Sequence, residues 1–264
     1  IQLLNETPIM EYGICILGII PLRKEAKDQS EIVSQVLFGQ HFKVLQVTPK
    51  WIRIELASDN YEGWICTKQY EEITYEDYDN LTVNDFPLVA SNFSNLQNVI
   101  TQEVLTITMG ATLPFYHKGS IKIRKHKFKF TGNIASNNTN DLLKYAYQLL
   151  NAPYLWGGKS ILGIDCSGFT QVVYSLCGIN LPRDAYQQAE LGETVTLSDI
   201  NPTDLVFFEN DSHRIHHVGI ALENNQIIHA SGKVRIDQLN KEGILHSKTK
   251  ELTHRLHSIK RIIE

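Results

Sequence analysis

Cys166 stands between an acid and a serine in YLWGGKSILGIDCSGF, residues 154–169. A thiol becomes a good nucleophile when its thiolate is stabilised, and a helix N-terminus and a nearby imidazolium both do this. The segment that follows, CSGFTQVVYSLCG, reads as an apolar helix with Gly178 as its C-cap, so Cys166 falls at the helix start, where its pKa is expected to be low. Ser167 and Gly168 keep the next turn slim, and the backbone N–H groups of that turn point to where an oxyanion would develop. A base is available in His217 or His229, which sit on neighbouring strand candidates and can face each other across a hairpin. One would move the proton and the other orient it. His216 competes with His217, but on a strand adjacent residues face opposite sides. Cys166, His217 and His229 are also zinc-ligand types. No paired C-x-x-C or H-E-x-x-H accompanies them, so no metal and no cofactor is expected.

The elements that must hold these residues can be read from the period of the apolar positions. From about Gly13 to Ile73 short alternating runs such as WIRIEL, in which Trp51, Ile52, Ile54 and Leu56 can supply a core face while Arg53 and Glu55 point the other way, are broken by turns. This predicts a small β-barrel. YEDYDNLTVNDFP is acidic and poorly periodic and reads as a linker. From about Phe86 to Thr131 the alternation resumes, with Lys122, Arg124, Lys127 and Lys129 on the solvated side, and a weak internal repeat of about 60 residues suggests a second barrel. After SNNTN the period becomes helical: Leu142, Leu143, Tyr145, Ala146, Leu149 and Leu150 share one side, and Asn138, Thr139 or Asn140 is the N-cap. Beyond Cys166 come the strand candidates DLVFF, HVGIAL and QIIHAS and a fourth near the C-terminus. Helices followed by antiparallel strands give an α+β class.

The 264 residues carry a net charge of -4, which disfavours nucleic acid or an anionic membrane as the main partner. No apolar run suffices to span a bilayer, and the start, which is not Met, lacks a basic region followed by an apolar one. Four scattered cysteines are too few for a disulfide framework, so a reducing, cytoplasmic location is expected, with export as the alternative if a leader has been removed. Cys15, Cys66 and Cys177 read as small buried hydrophobes.

The ordered motifs YLWGGKS, GIDCSGF, LPRDAYQQAELG, DLVFF, HHVGIAL and IIHASGKV resemble the NlpC-type cell-wall cysteine peptidase family, from about Asn140 to the C-terminus. The resemblance implies a papain-like domain with Cys166 as nucleophile, His217 as base and His229 as the third polar residue. The first stretch resembles a bacterial SH3-like domain and the second does so more faintly, which gives expected domains at 1–80, 81–137 and 138–264. Together they resemble γ-D-glutamyl-L-diamino acid endopeptidases of the dipeptidyl-peptidase VI class. These cut the bond between γ-D-Glu and diaminopimelate or Lys in small peptidoglycan-derived peptides. A cell-wall peptide-binding module with a vestigial catalytic domain, or a thiol amidase or acyltransferase, are the competing readings; the complete Cys, His, His set speaks against the first. Expected substrate contacts are Asp165, Ser167, Asp184, Glu62, Tyr154 and Trp156. Asp184 stands where many relatives carry a small hydroxyl residue. With Asp165 and Glu62 it would favour the ammonium of a free N-terminal L-Ala. The local alternative is that Asp165 caps the helix and Asp184 pairs with a neighbouring Arg or Lys. The preferred third residue and the oligomeric state are left open.

Overall fold

Period-two alternation produces strands where the sequence displays it. In WIRIEL, Ile52, Ile54 and Leu56 are fully buried and Arg53 is exposed. The structure, a computed structural model, describes residues 11–263; the opening segment read above for a leader pattern, residues 1–10, lies outside them. Strands β1 (Tyr12–Ile14), β2 (Ile19–Arg23), β3 (Ile32–Leu37), β4 (His41–Val47), β5 (Trp51–Leu56), β6 (Glu62–Cys66) and β7 (Glu71–Glu72) form one antiparallel sheet in the order β3-β2-β6-β5-β4-β1-β7. Cys15, Ile20, Leu22, Val36, Phe42 and Ile65 join the WIRIEL residues in its core.

The stretch read as a linker contains a helix, α1 (Tyr75–Val83). Thr74 caps it by accepting from the Asp77 N–H, and Tyr78 and Leu81, three apart, are its buried positions. Two buried residues in nine give too weak a period to stand out in the sequence. A second sheet follows, from β8 (Phe93–Asn98), β9 (Val104–Thr108), β10 (Ser120–Ile123) and β11 (His126–Thr131), in the order β10-β11-β8-β9. By contacts the described residues divide into one unit of residues 11–87, 95–107 and 111–131, which takes in most of both sheets, and a second of residues 88–94, 108–110 and 132–263.

In the second unit Asn138 caps a 3-10 turn, Thr139–Asp141, that leads into α2 (Leu142–Gln148). A short hairpin, β12 (Lys159–Ser160) and β13 (Gly163–Ile164), precedes α3 (Cys166–Ser175); Gly178, at φ +79°, turns the chain beyond its end. After α4 (Ala185–Gln188) come β14 (Glu193–Val195), β15 (Leu205–Glu209), β16 (Ile215–Leu222), β17 (Gln226–Ser231), β18 (Lys233–Leu239), β19 (Gly243–Leu245) and β20 (Leu252–Arg261). Their order is β14-β20-β15-β16-β17-β18-β19, and β19 also pairs with β20. That last pairing closes six antiparallel strands on themselves, which leaves no free edge along the closed part.

Alternation along the barrel separates two apolar clusters. Leu205, Phe207, Val218, Ile220 and Ile228 join α2 and α3, whereas Val206, Phe208, Ala221, Ile227, Ile244 and Ile259 form a separate cluster on the other side of the sheet. His217 pairs with Phe208 and His229 pairs with Gly219, so both histidines share the second side. Gly219 leaves the space that His229 fills: a Cβ there would lie 2.8 Å from the His229 Cβ and 2.7 Å from Ile227 Cδ1. Gly219→Ala is therefore expected to lower stability by about 1–3 kcal/mol through overpacking, read as a lower thermal midpoint. An unchanged midpoint would show that the strands part without cost.

Candidate active site

The helix that presents Cys166 is anchored by a buried ion pair. Asp165 caps α3: its Oδ1 accepts from the Gly168 N–H at 2.7 Å and its Oδ2 from the Gly157 N–H at 2.8 Å. Both oxygens also accept from Arg183, at 3.1 Å and 2.6 Å, and Arg183 donates to Ser167 Oγ at 2.9 Å. Arg183 is 1% exposed and Asp165 5%, so the pair lies inside the protein. The glycines of YLWGGKS and DCSGF allow the backbones to meet: a Cβ on Gly168 would lie 2.3 Å from the Gly158 oxygen, and one on Gly158 would lie 2.3 Å from the Gly163 oxygen.

Asp165 and Ser167, expected from the sequence as substrate contacts, have side-chain oxygens that accept from Arg183, which agrees with the alternative expectation that Asp165 caps the helix. Asp184, the next residue, stands at the start of α4, half-buried, with its N–H donating to Gln187 Oε1 at 3.1 Å. Tyr154 is half-buried against the core that holds Cys166, and its phenol is pushed up to about 12, first by burial and then by Cys166 and Asp165. Trp156 is 60% exposed. Glu62 belongs to the first unit, where it pairs with Arg53 across β5 and β6.

Cys166 sits against the start of β16. Its Sγ lies 4.0 Å from the His216 carbonyl oxygen and takes backbone hydrogen bonds from Val218 and Ser167, so it meets the backbone on either side of His217. His217 is buried and His216 exposed, as their opposite facing requires. From His217 a file of hydrogen bonds runs inward: His217 Nε2 to His229 Nδ1 at 2.8 Å, then His229 Nε2 to Asp237 Oδ2 at 3.1 Å.

The sequence reading missed Asp237. Burial pushes its carboxyl up, but hydrogen bonds from His229, the Ser247 N–H and Arg235 outweigh that and hold it well below the usual carboxylate range. An ionised carboxylate only accepts. His229 Nε2 must then carry a proton, His229 Nδ1 must accept from His217 Nε2–H, and His217 Nδ1 is left with a free lone pair. The file thus assigns each ring its tautomer and leaves Nδ1 as the His217 nitrogen able to accept a proton. Asp237 was hard to see because only the register of β17 and β18, which pairs His229 with Arg235, brings the carboxylate to the ring.

The thiol is neutral at rest. Burial pushes it up to about 12 and Asp165 adds to this; backbone hydrogen bonds from Val218 and Ser167 and the charge of Arg183 pull down without overcoming it. The low pKa expected of a thiol at a helix start is not realised, because burial and the cap carboxylate oppose its ionisation. Burial also holds His217 well below the ordinary imidazole range, helped by His229, His254 and His216. At rest, therefore, the thiol and the imidazole are both neutral.

Residues 151–253 match the NlpC/P60 family and residues 22–69 match the bacterial dipeptidyl-peptidase SH3 domain. The chain carries an NlpC/P60 domain. Among proteins similar to this chain is the gamma-D-glutamyl-L-lysine dipeptidyl-peptidase of Bacillus cereus, 26% identical over 246 residues, covering 82% of this chain and 73% of that protein. The enzyme of the same description from Bacillus subtilis is 29% identical over 213 residues, covering 75% and 72%. The crystal structure of an NlpC/P60 family protein from Bacillus cereus superposes with a TM-score of 0.79 at 22% identity, over 96% of this chain and 100% of that one, which shows a shared fold. The α+β class with N-terminal sheet domains before the peptidase domain is thus as the sequence predicts.

Two outcomes are expected. Alkylation of Cys166 by iodoacetamide should accelerate steadily from pH 7 to pH 10 as thiolate forms; a rate plateau below pH 7 would mean a pre-formed thiolate–imidazolium pair. Asp237→Asn should lower kcat by about 10²–10⁴-fold with little change in KM, because an amide can donate and scramble the tautomers. A kcat within twofold of wild type would remove Asp237 from the file.

Proposed function

We propose that the protein is a cysteine peptidase that hydrolyses the bond between γ-D-Glu and the diamino acid in small peptidoglycan stem peptides. The observation that carries the reading is the hydrogen-bonded file from Asp237 through His229 to His217, on the strand whose His216 carbonyl oxygen lies 4.0 Å from Cys166 Sγ. The relatives described as gamma-D-glutamyl-L-lysine dipeptidyl-peptidases supply the substrate class. Cys166 Sγ attacks the γ-carbonyl carbon while its proton passes to His217 Nδ1. The tetrahedral intermediate collapses as His217 gives that proton to the departing amine, leaving a thioester. Water, deprotonated by the same ring, attacks the thioester; the dipeptide leaves as a carboxylate and the thiol is regenerated. Gly168 N–H is occupied by Asp165, so the oxyanion is left to earlier N–H groups at the helix start.

Recognition of a free N-terminal L-Ala is assigned to Asp184, a carboxylate that suits an ammonium and that directly follows Arg183, whose partner Asp165 caps the helix of Cys166. Tyr154 and Trp156 supply aromatic walls. Cys166→Ala should abolish hydrolysis of L-Ala-γ-D-Glu-diaminopimelate without unfolding the protein, whereas wild-type turnover would exclude the nucleophile. N-acetylation of the same tripeptide should cut kcat/KM by at least tenfold, and Asp184→Ser should narrow that gap. Equal kcat/KM on the free and acetylated peptides would dismiss amine recognition.

A further inference from the structure

β20 brings a fourth imidazole to the site. The His254 ring lies face to face with His217, centroids 4.1 Å apart and planes 25° from parallel. It also meets His229 edge-on at 5.8 Å, His216 in a stack at 5.9 Å, and Phe208 edge-on at 6.0 Å. This placement is built by two backbone features. Gly243 on β19 has φ +142°, and a Cβ there would lie 1.8 Å from the His254 carbonyl oxygen, so only glycine lets β20 approach so closely. A register shift between Phe207 and Phe208 on β15, which pair with Ser258 and Leu256, rephases β20. Leu256 and Ile259 then both join the Phe208 cluster although they are three residues apart, and His254 follows Leu256 to the same side.

We propose that His254 is a positioning residue for catalysis: stacked on His217, it holds that ring with Nε2 on His229 and Nδ1 turned to the thiol. This rests on His217 being the base. A single hydrogen bond to His229 leaves His217 free to pivot about that bond, and a ring lying across its face removes the pivot. The groups around His254 are His216 and His217 from β16, His229 from β17, Asp237 from β18 and the uncharged Phe208 from β15; Ile244 stands opposite on β19, and Thr253 Oγ1 lies 2.9 Å from its Nδ1. Burial, then His229 and His216, push His254 down to about 4, while Asp237 pulls weakly the other way. At neutral pH the stacked ring is uncharged. As pH falls through that range it takes a proton and opposes the imidazolium that must form on His217 during acylation.

His254→Phe keeps the flat face and removes the titration; His254→Ala removes both. His254→Ala should lower kcat at pH 7 by at least tenfold with KM within twofold, and His254→Phe should recover it to within threefold of wild type. The acid limb of the kcat/KM profile should move to lower pH in His254→Phe, because the charge at 254 is gone. Imidazole nitrogen–proton correlation spectra give a readout that needs no turnover: one Nε2–H tautomer of His217 in wild type and His254→Phe, averaged tautomers in His254→Ala. Wild-type kinetics and a single tautomer in His254→Ala would overturn the proposal, as would an acid limb that stays in place in His254→Phe. If the wild type hydrolyses no γ-D-glutamyl peptide, the substrate assignment fails, and the spectra still decide the stack.

Discussion

A carboxylate that cannot donate sets the direction of the whole site. Asp237 accepts on Oδ2 from His229, and on Oδ1 from Arg235 at 2.9 Å and from the Ser247 N–H at 2.7 Å. With these donors in place it stays ionised, and each ring between it and the thiol has one tautomer available. Reverse the polarity at that end and His217 would present N–H to the sulfur, where it could not accept a proton. The closed barrel serves this constraint, since β16, β17 and β18 must hold register for three side chains on three strands to meet.

The thiol's side of the site is fixed differently, by a buried charge pair. Asp165 and Arg183 neutralise each other, and each satisfies groups that burial would leave unpaired. Breaking such a pair leaves one buried charge uncompensated, at a cost of about 3–5 kcal/mol. The adjacent anion has a chemical consequence too, because it disfavours a resting thiolate. Catalysis then depends on transfer of the thiol proton as attack occurs, and that gives the orientation of the base its weight.

The legible parts of the sequence were those with short-range signatures. Cys166 at a helix start, Asp165 in capping position, the strand runs DLVFF, HVGIAL and QIIHAS, and two histidines on adjacent strands all follow from local pattern, and the structure realises each of them. What depends on register did not show. Asp237 and His254 lie in VRID and LTHR, runs that carry no motif, and they reach the histidines only through strand pairing and a shift on β15. The thiol pKa was misjudged for a related reason: helix position is visible in sequence, whereas burial beside an ionised cap is a property of the packed state.

The central claim is that Cys166 carries the acyl group during turnover, with the proton moved by the file that ends on Asp237. Rapid acid quench of the enzyme reacting with L-Ala-γ-D-Glu bearing an activated leaving group, followed by peptide mass mapping, tests it directly. The expected result is an L-Ala-γ-D-Glu thioester on Cys166 that forms in wild type and forms far more slowly in Asp237→Asn. Turnover with no label on Cys166, or labelling at an undiminished rate in Asp237→Asn, would contradict the account.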